Sequence, residues 1–135
     1  VAGWHLAALP GGEREPIGQR IIEVPENLDH FVSRDSRAVF IAYVPIGSVE
    51  RGRVLVAGSD GTTVACAGCH GADLRGLAAI PPLAGRSPTY LVRQLYDFKH
   101  GARAGNGSLL MRPAVERLEL EDMISIAAYA ASLPP

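Results

Sequence analysis

Apolar residues recur at helical spacing through the later part of the chain, whereas the first 46 residues show no helical period. From Ser87-Pro88 onward, Leu91, Leu95 and Phe98 fall at i, i+4 and i+7, which predicts one face of a helix that Gly101 ends. Pro88 suits the first helical position, where a missing N–H costs nothing. A final helix is expected from about Glu119 to Ser132, with Glu119, Glu121 and Asp122 in its first turn, where the macrodipole favours acids. A third helix is expected from about Val49 to Ala57, with Ser48 as its cap and Gly58 at its end. Residues 74–86 hold Pro81, Pro82 and Gly85 and read as a loop, as does the glycine-rich stretch 101–108. A short helical turn is expected after Pro113.

The first 46 residues read differently. Ile21, Ile22 and Val24 suggest a short strand ended by Pro25, and Val39 to Val44 forms a second run rich in β-branched and aromatic residues, ended by Pro45. The apolar content is too high for a disordered tail. The expected organisation is an irregular N-terminal extension over residues 1–46, packed on a domain over residues 47–135. No internal repeat is visible. No apolar run reaches the roughly 18 residues that a membrane span needs, so none is expected. The stretch from Ile124 to Leu133 is too short. No signal-peptide pattern is visible at Val1, as expected either of a mature form or of a sequence that begins after a cleavage point.

Composition adds two constraints. Apolar residues make up 47% of the chain, enough for a folded core, and the net charge of −1 gives no reason to expect nucleic acid. Lys99 is the only lysine. Docking to a protein partner would therefore use arginine or apolar surface rather than a ring of lysines.

The chemistry lies in Cys66-Ala67-Gly68-Cys69-His70, a C-x-x-C-H sequence. Two cysteines separated by two residues reach two adjacent pyrrole edges of a haem and form thioether bonds to its former vinyl groups. The next residue, His70, then falls under the iron, which explains the order of the motif. A disulfide redox pair would not call for the histidine and would want a βαβ context. Half of a zinc site would need two further ligands, and His5, His30 and His100 are isolated.

The second axial position on the iron has several candidates: Met111, Met123, His100, His30 and His5. Met111 lies 41 residues after His70, in what reads as a loop before Pro113. A loop methionine can swing its sulfur to the far side of a haem, and its soft thioether stabilises reduced iron. Met123 lies among Ile124, Ile126 and Ala127 and reads as core filling. His100 reads equally as a helix C-terminal residue favoured by the dipole. A ligating imidazole usually donates its other N–H to a carbonyl, and the rigid Pro81-Pro82-Leu83 segment is a candidate acceptor. Arg86, Tyr90, Gln94 and Arg103 are candidate donors to haem propionates, each also readable as a solvated surface residue.

These residues resemble class I c-type cytochromes, the small helical electron carriers. The likeness covers roughly residues 48–134. It rests on Cys66 to Gly71, Pro82 to Leu91, Gln94-Leu95, Phe98-Lys99, Gly101, Met111-Arg112-Pro113 and Ile126 to Tyr129. The order looks closest to one domain of bacterial periplasmic diheme cytochromes. The resemblance implies an all-α class I cytochrome c fold wrapped around one covalently bound haem c. It implies His70 and Met111 as the metal ligands and the carbonyl of Pro82 as the partner of His70. It also implies that the first helix of the domain crosses the last near Gly52 and Tyr129. A single C-x-x-C-H excludes a second haem.

The expected function is electron transfer without catalysis, by a periplasmic carrier that meets redox protein partners. No constellation of catalytic residues stands out. The alternatives are a haem subunit of a larger periplasmic redox enzyme and a gas sensor with an open axial site.

Overall fold

A computed structural model describes residues 11–13 and 15–135. The chain forms two compact units, Val1–Pro45 and Ile46–Pro135.

The first unit carries the one sheet among the described residues. Strand β1 (Ile22–Pro25) pairs antiparallel with β2 (Phe40–Tyr43), with Ile22 opposite Tyr43 and Pro25 opposite Phe40. These are the two β-branched and aromatic runs of the sequence. A short helix, α1 (Leu28–Val32), lies between them, capped by the Asn27 side chain, which accepts from the N–H groups of Asp29 and His30. Phe31 meets Phe40 edge to face at 5.8 Å. Within the extension expected to be irregular, residues 22–43 therefore form a hairpin with an inserted helical turn.

The second unit is helical: α2 (Ser48–Val56), α3 (Ala67–His70), α4 (Pro88–Lys99), α5 (Ser108–Val115) and α6 (Leu120–Ser132). Its core gathers Leu55 and Val56 from α2, Leu91 from α4, Val115 from α5, and Met123 and Ile126 from α6. Full burial of each such side chain stabilises by about 1.5–3 kcal/mol. Met123 is 1% exposed, which fits its reading as core filling. Ser87 caps α4 by accepting from the Tyr90 N–H at 3.2 Å, and Leu91, Leu95 and Phe98 turn toward the core as their spacing predicts. Glu119 and Asp122 form a reciprocal capping box at the start of α6.

Helices α2 and α6 cross at Gly52. A methyl group there would overlap the Ser125 carbonyl oxygen, and would stand 2.6 Å from that carbonyl carbon and 2.8 Å from Tyr129 Cβ. Only hydrogen fits, so the backbones meet directly, at the crossing expected for Gly52 and Tyr129.

Two local expectations are corrected. Ser48 does not cap α2; Gly47, in the left-handed region at φ +85°, turns the chain so that Ser48 enters the helix as its buried first residue. Met111 and Pro113 do not stand in a loop; both lie inside α5, which begins at Ser108. Proline is tolerated there because the helix is short and only one carbonyl, that of Leu109, loses its donor.

Candidate haem site

The C-x-x-C-H segment closes into one tight turn. The His70 N–H donates to Cys66 O at 2.9 Å, and the Cys66 N–H donates to Val56 O at 2.9 Å, which ties the turn to the end of α2. Gly71 ends the turn at φ +86°, a conformation that favours glycine. The thiols of Cys66 and Cys69 are free rather than joined as a disulfide. Cys69 is exposed, whereas burial pushes the Cys66 thiol above its ordinary value.

His70 is 6% exposed. Its Nδ1 lies 2.9 Å from the carbonyl oxygen of Pro81. A carbonyl can only accept, so Nδ1 carries the proton and Nε2 keeps its lone pair for a metal. The acceptor is Pro81 rather than the expected Pro82. Residues before proline are held extended, and in such a chain successive carbonyls point about 120° apart, so only one of the pair faces the ring. The choice is fixed from below. Leu74, buried at φ +58°, offers its carbonyl to the N–H groups of Leu83 at 2.8 Å and Ala84 at 3.1 Å. The Gly76 N–H meanwhile donates to His70 O at 2.8 Å. Nothing in the spacing of the sequence singles out Leu74 or Gly76 for this work.

The other candidates fall into groups. Met111 is half-buried and packs against the same core that Cys66 and Ala67 border. Gln94 and Arg103 are brought together: the Arg103 guanidinium donates to Gln94 Oε1 and lies 4.6 Å over the Phe98 ring. Pro82, Arg86 and Tyr90 are exposed. His100 is bound to its own helix, with Nδ1–H donating to Tyr96 O at 2.9 Å and its ring stacked on Tyr96 at 3.9 Å. His30 lies on α1 in the first unit, and His5 lies outside the described residues. Among the described residues no group of three or more His, Cys, Asp or Glu side chains could hold a metal ion.

The chain matches the cytochrome c family over residues 49–134. The chain belongs to the cytochrome c family. It binds haem c covalently and transfers electrons. It is 34% identical to cytochrome c4 of Azotobacter vinelandii over 142 aligned positions, which cover 94% of this chain and 67% of that one. The thiosulfate dehydrogenase electron acceptor of Stutzerimonas stutzeri is 40% identical over 79 positions, 57% of this chain and 35% of that protein. The crystal structure of reduced cytochrome c4 from Pseudomonas stutzeri superposes with a TM-score of 0.61 at 30% identity, covering 68% of this chain and 51% of that one. The chain thus spans about half the length of the solved cytochrome c4. The residues fit the cofactor: two unjoined thiols, two residues apart in the chain, precede a buried imidazole whose Nδ1 is committed to Pro81 and whose Nε2 is left for a metal.

Proposed function

We propose that this chain is a single-haem electron carrier of the bacterial periplasm. In this reading Cys66 and Cys69 hold the haem through thioether bonds, and His70 Nε2 and the Met111 sulfur ligate the iron. The observation that carries it is the hydrogen bond from His70 Nδ1 to Pro81 O, which fixes the ring's tautomer and aims Nε2 away from the loop. Haem c supplies a one-electron iron couple when bound. The chain's own residues bury the imidazole and orient its ring through Pro81, beside a core that holds Leu74, Leu91 and Val115. Gln94 and Arg103 form a paired polar group suited to a propionate, and Arg86 and Tyr90 stand as further donors on exposed positions. Periplasmic residence follows from covalent haem attachment, which in bacteria takes place outside the cytoplasm. No described helix is long and apolar enough to cross a membrane.

A second reading is a haem subunit of a larger redox enzyme. It is favoured by the likeness to the thiosulfate dehydrogenase electron acceptor, and by Lys99 being the only lysine and already donating to Leu118 O. Its partner would dock on arginine or apolar surface.

The test is the visible spectrum of the purified holoprotein with a pyridine haemochrome assay and solution mass. One haem c per chain and a weak far-red band in the oxidised form, the marker of sulfur on the iron, are expected. Haem c without that band removes Met111 and moves the sixth position to His100 or to an open site. A mass above that of the free chain favours the subunit reading.

A further inference from the structure

The helix that carries Met111 is poorly secured by its own residues. α5 has eight residues, fewer than an isolated helix needs to persist. Gly107 precedes it with no side-chain cap, and Pro113 leaves the Leu109 carbonyl without a helical donor. Beyond Met111, which packs against the core, the helix's hold on the domain is at the far end, where Ala114 and Val115 are buried.

Among the described residues, a side chain from outside the helix reaches that end. The Thr63 hydroxyl, buried, donates to Ala114 O at 2.7 Å. The other acceptor in range among the described residues, Val64 O, is at 3.3 Å, so the proton goes to Ala114. Ala114 O is one of the last four carbonyls of α5, which no N–H of the helix can reach. The Leu118 N–H, which would have served it had the helix continued, goes instead to Val115 O at 3.1 Å. Thr63 is three residues before Cys66, and the Cys66 N–H is itself fixed to Val56 O. The hydrogen bond therefore joins the segment that leads into the attachment cysteines to the helix that bears the methionine.

We propose that Thr63 is a positioning residue for Met111: its hydroxyl fixes α5 against the segment leading into Cys66 and so sets how firmly the methionine sulfur stays on the iron. This rests on Met111 being the sixth ligand. Thr63→Val keeps the shape and removes the donor, leaving a buried carbonyl unsatisfied. Lifting α5 is the step that frees the sulfur, so replacement of Met111 by added imidazole in the oxidised holoprotein, at saturating imidazole, reads the hold directly. The expected result for Thr63→Val is replacement about tenfold faster, equivalent to about 1.4 kcal/mol, with a lower midpoint potential and a weakened far-red band. Thr63→Ser restores the hydroxyl and returns all three readouts close to the parent values. Should the valine protein not accumulate with haem, Thr63→Ala loses the same donor and carries the same expectation.

Unchanged imidazole kinetics and potential in Thr63→Val, with only a lower melting temperature, would reduce the hydrogen bond to a structural one and overturn the proposal. Met111→Ala separates this from failure of the ligand assignment. If the parent's far-red band disappears in Met111→Ala, the ligand stands and the Thr63 result is decided on its own. If the parent has no such band, Met111 is not the ligand and both readings fall together.

Discussion

At the scale of single residues, the two methionines differ in what surrounds them. Met123 is enclosed on α6 among Ile124, Ile126 and Ala127, and a thioether there fills space. Met111 is half-buried on α5 at the rim of the core that Cys66 also borders. Met123→Leu is close to volume-conserving, so it should cost less than about 1.5 kcal/mol in denaturant unfolding and leave the midpoint potential in place. With Met111 as the proposed ligand, Met111→Ala should do the reverse: the potential falls, because a soft ligand that favours reduced iron would be gone, and the far-red band is lost. A potential shift in the Met123 variant would move the ligand to α6. The motif residues were legible because haem c attachment demands a fixed local spacing. Pro81 was legible only as part of a proline pair, because the direction of a carbonyl depends on bonds made by Leu74, nine residues before Leu83, and sequence spacing does not encode those bonds. Thr63 gave no signal at all, since its partner Ala114 is distant in the chain and alanine reveals nothing of its backbone carbonyl.

At the scale of elements, the α2–α6 crossing fixes where the attachment turn begins, because Val56 at the end of α2 accepts from the Cys66 N–H. Gly52→Ala should destabilise the holoprotein by about 3 kcal/mol or more in denaturant unfolding, since the methyl meets backbone rather than a side chain that can move. Alanine's better helix propensity returns only about 1 kcal/mol, so the clash wins. A variant as stable as the parent would mean that the helices separate without cost. The long helices α4 and α6 follow from their periodicity, Ser87-Pro88 and the acids at 119–122. Helix α5 does not, since glycines before it and a proline within it are loop signals, and burial of Ala114 and Val115 overrides them. The hairpin of the first unit is half legible: each strand shows in its β-branched residues, but their pairing spans a helical insertion that has no period of its own.

At the scale of the whole molecule, the likeness to Azotobacter cytochrome c4 runs over 94% of the chain, beyond the family match at 49–134 and into the first unit. That unit has no C-x-x-C-H, so its share of the likeness is not in haem attachment. Among the described residues, every buried residue of the core, the attachment motif, Pro81, Thr63 and Met111 lie after residue 45. Two-stranded sheets are marginal by themselves, so the first unit has less to hold it together than the second has. Deleting residues 1–45 from the exported protein should therefore leave one haem c per chain, the reduced spectrum and the far-red band as they were. Failure to incorporate haem would show that the second unit does not fold by itself. A changed potential, or faster reduction by a small uncharged reagent, in a deletion protein with intact haem would assign the first unit a place over the haem edge. An unchanged potential with weaker binding to a redox partner would assign it to docking, in a protein whose single lysine, tied to Leu118 and Glu119, leaves that work to other residues.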